Sequence, residues 1–446
     1  MKIVFPLIFL ISTLPLLLPT AGRAADVPKS MIGPRLTSAQ IPLTLVQLTD
    51  LALQRNPKTQ LAWIAIRSSE AGVELAKAGY WPTIDASVTA QRYRPLNFSG
   101  QAVNSQTRYG ASVSLSYLLW DFGTRSGTLD TAKYELVSAH LSQDQTMQDV
   151  ILQVEQAYYQ VLGLQAVTEA NRQSLKDAHT NLDAVQKRRS SGVATVGEVY
   201  QAEAALAGAK LTLQKSEGQL ASARGQLAVA VGETPDTVLK LAPWKQTESP
   251  VMPERRVASL IDDARGARPE LLAAKVQEQV AAAKIDATRG SGLPSLNLDA
   301  NAGRTRVQGI GVSNQFSGLL SLKIPIFAGF GDRAAVHQAE AALDSARANS
   351  DDLRSQVELE VWQAYQNLRT AVATLDSSAA QLKSAQLAAD VANARYKNGL
   401  ATILDLLSAQ TTLANARVQQ VQARLDWAAA RTALGHAVGG LKAPAE

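Results

Sequence analysis

The sequence predicts a mostly α-helical fold with a smaller β part, built twice over in one chain. Three observations carry that prediction. The 446 residues repeat themselves, the two longest proline-free runs have helical apolar periodicity, and four segments alternate apolar and polar residues. Asn56-Pro57 matches Arg268-Pro269 and Trp81-Pro82 matches Leu293-Pro294, both 212 positions on. Further along the offset drops to 207 and holds. Trp120-Asp121-Phe122-Gly123 matches Phe327-Ala328-Gly329-Phe330, Gln156-Ala157-Tyr158 matches Gln363-Ala364-Tyr365, and Val231-Gly232 matches Val438-Gly439. The change of offset falls between Pro82 and Trp120, so one loop there is longer in the first copy.

The N-terminus reads as a secretory signal over residues 1–24. Lys2 supplies the charge, Ile3 to Leu18 the apolar stretch, and Gly22-Arg23-Ala24 the small residues before cleavage. Pro6 and Pro15 break the stretch, which is short for a spanning helix. The first repeat then occupies residues 25–240 and the second 256–441. A linker over 241–255, holding Pro243, Pro250 and Pro253, should pack outside the helices, and 442–446 form a tail.

Within each repeat two strands come first. Ile84, Ala86, Val88 and Ala90 alternate with Asp85, Ser87, Thr89 and Gln91; Ala111, Val113, Leu115, Tyr117 and Leu119 alternate with small and polar residues. In the second copy Leu296 to Gly303 and Gln315 to Ile326 alternate likewise, with Leu319 interrupting the polar face. Such alternation suits a transmembrane barrel strand or a soluble sheet with one wet face.

The helices follow. No proline lies between Pro95 and Pro235 or between Pro325 and Pro444, and proline is what helix interiors exclude. Ile151, Val154, Tyr158 and Val161 form one apolar stripe; Val357, Val361, Ala364, Leu368, Ala371 and Leu375 form another at heptad spacing. Ser190-Ser191-Gly192 and Asn398-Gly399 break the runs after basic last turns. Thr195 with Glu198 forms a capping box, and Thr402 with Asp405 an acidic variant, so a new helix starts after each break. Each half therefore carries a hairpin whose first arm, Gly123 to Arg189 or Gly331 to Lys397, spans roughly 100 Å at 1.5 Å per residue. Helices of that length must lie against other long helices.

Composition narrows the function. There is no cysteine, which excludes disulfides, cysteine-held metal and a lipidated cysteine. The net charge of +5 is spread without a basic stripe, so no nucleic acid is expected as partner. His140, His179, His337 and His436 are scattered; no phosphate loop or nucleophile elbow occurs, and no catalytic residue, cofactor or metal is expected. Four strands cannot close a membrane barrel, which needs about eight. If these strands enter a membrane, two or three chains must share the barrel.

The chain resembles the TolC-like outer membrane efflux proteins over nearly its whole length. The resemblance is carried by the hairpin turns Ser191-Gly192-Val193-Ala194-Thr195-Val196-Gly197-Glu198 and Asn398-Gly399-Leu400-Ala401-Thr402-Ile403-Leu404-Asp405, each a glycine turn with an acid six positions on, and by the elbows at Trp120 to Gly123 and Phe327 to Gly331. It implies a homotrimer. A long α-helical barrel would run through the periplasm, continuous with a 12-stranded transmembrane β-barrel in outer membrane lipid. It implies the exit duct of a tripartite efflux pump or type I secretion system, docked on a periplasmic adaptor and an inner-membrane transporter. Glu198, Asp405 and Tyr396 would then line the periplasmic aperture. The turns Ser191, Gly192, Val193, Ala194 and Asn398, Gly399, Leu400, Ala401 would touch the adaptor. The plainer roles are helix capping for the acids, seam packing for Tyr396 and ordinary turns for the tips. Ala401 stands where TolC has a gate arginine and Ser408 where it has a second acid, so the aperture should be held by other contacts or more loosely. The rival functions are a periplasmic adaptor, expected to have one hairpin, and a soluble coiled-coil scaffold.

Overall fold

A computed structural model of the chain describes residues 42–94, 105–242 and 256–440. The expected signal (1–24), nearly all of the linker, most of the longer first loop and the tail at 442–446 lie outside the described residues.

One series of elements occurs twice. The first is α1 (Leu45–Arg55), α2 (Pro57–Ala78), β1 (Thr83–Tyr93), β2 (Gln106–Trp120), α3 (Thr124–Ser190) and α4 (Val196–Val231). The second is α5 (Val257–Ala267), α6 (Pro269–Ser291), β3 (Ser295–Val307), β4 (Gly311–Lys323), α7 (Gly331–Lys397) and α8 (Ile403–Ala437). Pro57 and Pro269 each begin a helix, where the missing N–H costs nothing, and so separate α1 from α2 and α5 from α6. The arms α3 and α7 are 67 residues each. Every residue of both predicted stripes is buried. Trp362, next to the α7 stripe, is 47% exposed.

The four strands form one antiparallel sheet in the order β1-β2-β3-β4, which leaves β1 and β4 as open edges. The predicted fourth strand is too long. Pairing ends at Lys323, so Ile324 and Ile326 fall outside it, because Pro325 has no N–H to continue the ladder. Register sorts the side chains by face. Val88, Ala111 and Arg304 stand in one row, as do Val113, Ala302 and Phe316. Ser87, Ser112 and Gly303 make up a row of the opposite face. The apolar face has no cover within the chain: Val88 is 87% exposed, Phe316 83% and Leu320 62%. A soluble sheet would bury that face.

All four helix connections leave from one end of the sheet; β1 ends and β2 begins at the other, as do β3 and β4. Near the sheet α3 packs on α2 and α6, and α6 packs on α7; farther away α3 packs on α4 and α8, and α7 on α8. The close crossing of α3 and α6 requires glycine. A Cβ at Gly127 would stand 2.5 Å from the Ala287 amide, and one at Gly290 would stand 2.6 Å from that of Thr124.

Midway along, the short helices are pinned to the long ones by polar contacts. In the second copy Arg268 pairs with Glu270 and, at 2.8 Å, with Glu360 of α7; it also donates to the His436 carbonyl of α8. The His436 ring reaches Asp149 of α3 at 3.0 Å and Glu360 at 3.5 Å. In the first copy Arg55 pairs with Glu233, and the Asn56 amide donates to the Ala230 carbonyl. Burial disfavours the His436 cation, but Asp149 and Glu360 outweigh it and raise its pKa from 6.5 to about 9.

A histidine whose pKa rises on folding contributes stability that is complete below about 6.5 and is lost as pH climbs through about 9. That shift is worth on the order of 3 kcal/mol. The thermal transition of the detergent-purified protein should therefore move down between pH 6.5 and 9.5, and His436→Gln should remove most of that dependence. Identical pH profiles for the two proteins would exclude this role.

Candidate functional site

The two helical turns farthest from the sheet carry the predicted site residues and bring two of them, Glu198 and Tyr396, into contact. Each turn is built the same way. The Gly192 N–H donates to the Arg189 carbonyl and the Val193 N–H to Arg188, both at 2.9 Å; Gly399 and Leu400 repeat this on Tyr396 and Arg395 at 3.0 and 2.8 Å. These are Schellman closures, and they need a left-handed residue, which glycine supplies at φ 75° and 74°. Beyond each turn the capping box predicted from the sequence is formed. Thr195 accepts from the Glu198 N–H while Glu198 accepts from that of Thr195, and Thr402 and Asp405 do the same. Ser191, Gly192 and Val193, with Asn398, Gly399 and Leu400, are exposed at the ends, whereas Ala194 and Ala401 are half-buried.

The acids differ in their second partner. Glu198 spends one oxygen on its cap and accepts from the Tyr396 hydroxyl at 3.2 Å with the other, which joins the two hairpins of one chain. Asp405 makes its hydrogen bonds to Thr402, the N–H at 2.9 Å and the hydroxyl at 2.7 Å. Those bonds hold its carboxyl below the ordinary aspartate range, so it is charged at neutral pH. Tyr396 is also a packing residue, buried among Val185, Val199, Ala202, Ile403 and Leu406. Burial first, and then Glu198, push its hydroxyl pKa up, which keeps it a donor.

Arg188 belongs to this site and sequence reasoning missed it. Its guanidinium lies 4.8 Å from the centre of the Tyr396 ring and donates to the carbonyls of Tyr396 and Lys397 at 3.1 and 3.3 Å. A cation from α3 thus sits on the negative end of α7, while its own carbonyl closes the first turn. The pattern around Ala401 gave no hint of it. The available signal was the run Lys187-Arg188-Arg189, three bases in one last turn. Farther up, Arg417 of α8 pairs with Asp177 of α3 at 3.0 Å, and Asn181 bonds Gln410.

No described helix is long and apolar enough to cross a membrane. The bare apolar sheet face is the part suited to lipid. The sequence matches the family of outer membrane efflux proteins over residues 48–233 and 260–440. The chain belongs to that family. Similar proteins include CyaE of Bordetella pertussis, 29% identical over 387 residues that cover 85% of this chain and 80% of that one. Outer membrane protein TolC of Vibrio cholerae is 26% identical over 363 residues, 78% of this chain and 80% of TolC. Among solved structures, the outer-membrane channel OprN superposes with a TM-score of 0.80 at 21% identity, covering 90% and 91% of the two chains. The outer membrane protein VceC of Vibrio cholerae superposes at 0.75 and 21%, covering 89% and 96%. The fold is therefore the helical barrel and β-barrel of the efflux proteins. The protein is an outer membrane efflux duct that extends into the periplasm.

The capping boxes are testable apart from any role in transport. Thr195→Ala and Thr402→Ala should each cost about 1 kcal/mol of local helix stability. Amide hydrogen exchange over 196–199 or 403–406 should then speed up roughly fivefold, with the strands unaffected. Unchanged exchange would show that the caps contribute nothing there.

Proposed function

We propose that three copies of this chain close into one passive duct, with its aperture at the hairpin turns and its energy supplied by partner proteins. The observation that supports this most directly is the four-stranded sheet with both edges open and its apolar face bare. Lipid does not tolerate unpaired strand edges, and three such sheets make twelve strands. The helices have the same requirement. Leu359, Trp362, Leu387 and Val391 of α7, and Tyr200 and Leu211 of α4, are exposed on the flanks of the chain. A neighbouring chain on each side would cover them.

In this reading the aperture is held by Arg188, Tyr396 and Glu198. Arg188 does from α3 what an arginine at position 401 would otherwise do: it keeps the end of α7 against the first hairpin. Its counterpart in the second copy, 207 positions on, is Arg395, but the counterpart of Tyr396 is Arg189, so the ring contact has no equivalent there. Three copies each of Glu198 and Asp405 would surround a narrow opening, where like charges concentrate cations and repel anions. The exposed turns, with small residues around Val193 and Leu400, offer a surface for a periplasmic adaptor that links the duct to an inner-membrane transporter. The duct itself performs no chemistry.

Native mass spectrometry of the detergent-extracted protein should give three chains; a stable dimer would end this reading. In planar bilayers Arg188→Ser with Tyr396→Phe should raise single-channel conductance several-fold. Glu198→Ala with Asp405→Ala should weaken block by divalent cations, and unchanged block would leave those acids as caps alone. Val193→Glu with Leu400→Glu should abolish cross-linking to an adaptor while three-chain assembly persists. Retained cross-linking would move the docking surface elsewhere.

A further inference from the structure

From the arginines at the loop end of the sheet, we infer that the barrel binds the phosphate groups of outer-leaflet lipid head groups. The outward face of the sheet is the row set that includes Ile84, Val88, Val113, Leu298 and Phe316. The same register puts Arg92 of β1 and Arg304 and Arg306 of β3 on that face. Arg92 stands two positions beyond Ala90, Arg304 beside Ala111, and Arg306 beside Tyr109. All three are exposed. Asp85 and Asp299, the acids of the four strands, point to the opposite face with Ser114 and Ser116. The lipid-facing side is therefore apolar over most of its height and purely cationic at one end, the end away from the helices.

Depth places these cations. Eight residues separate Leu296 from Arg304, about 26 Å along a strand. With the strand tilt usual in such barrels this is about 20 Å along the membrane normal, and the apolar band of an outer membrane barrel is about 25 Å tall. Arg304 thus leaves the hydrocarbon near its outer boundary and its long side chain reaches the head groups. Arg306 lies about 7 Å farther along the strand, and Arg92, two strands across and two residues beyond that row, is about 12 Å from Arg306. Tyr109, 55% exposed, sits in the row between them, at the level where amphipathic aromatic rings settle. Among the described residues Arg304 and Arg306 make no ion pair with an acid, and Arg92 donates only to the Ser105 hydroxyl at 3.3 Å. Guanidinium groups so spaced fit phosphate oxygens, which they bind bidentately. Zwitterionic or neutral head groups offer no matching net charge.

The full-length protein, reconstituted in nanodiscs, should be washed with detergent and its retained lipid counted by native mass spectrometry. The lipid probes are bisphosphorylated lipid A and the same lipid with both phosphates removed. The phosphorylated form should be retained at least tenfold better, and equal retention overturns the inference without any variant being made. Arg92→Gln with Arg304→Gln and Arg306→Gln should reduce retention of the phosphorylated lipid to that of the dephosphorylated one. Undiminished retention by that variant overturns the assignment to these residues. Inorganic phosphate at millimolar concentration should leave the bound lipid in place; full displacement would mean that free phosphate, and not a head group, is the ligand.

Discussion

Backbone hydrogen bonding in a medium without water is the constraint on which the rest of this molecule depends. A strand in lipid must have a partner on both sides, because each unpaired peptide group there costs several kcal/mol. Within one chain β2 and β3 satisfy that rule, whereas β1 and β4 do not. Each therefore has to find its missing neighbour in another copy. Since every strand joins a helix at the same end of the sheet, the choice made by the strands is imposed on the helices. A ring of strands becomes a ring of helices, and the interior of the ring becomes the duct.

The internal repeat makes that ring possible and also breaks its symmetry. Two similar units per chain place similar hairpins at regular intervals. The units are nevertheless secured differently at mid-height. The first uses an arginine–glutamate pair and the Asn56 amide. The second uses Arg268, two glutamates, a charged histidine and Asp149. Such partly buried ionic groups fix geometry, and where attraction outweighs desolvation, as at His436, they add stability too. They hold α5 and α6 against α7 and α8 in one register.

At the far end the same atoms cap helices and join hairpins. Glu198 completes a capping box with one oxygen and accepts from Tyr396 with the other. The capping bond and the proposed aperture role do not compete, since a carboxylate has acceptors for both. A bond between two hairpins is nonetheless the weaker anchorage. It joins long helices at their tips, where the buried apolar surface is a small cluster around Tyr396 and Arg188 adds polar contacts to the end of α7. Ends of this kind can part without unfolding the helices above them.

Much of this was legible in the residues. Both arms, both turns, both capping boxes and the faces of the strands follow from relations between residues two to seven positions apart, which covalent geometry turns directly into a shared face or a shared cap. The exceptions are instructive. The fourth strand stopped short because a single proline outranked the alternating pattern. Arg188 and the His436 network were not foreseen, because Arg188 and Tyr396 are 208 positions apart and His436 and Asp149 are 287 apart. Which face a helix presents is written along it; which neighbour meets that face, and at what height, is set by how the long helices pack, and tertiary structure alone decides it.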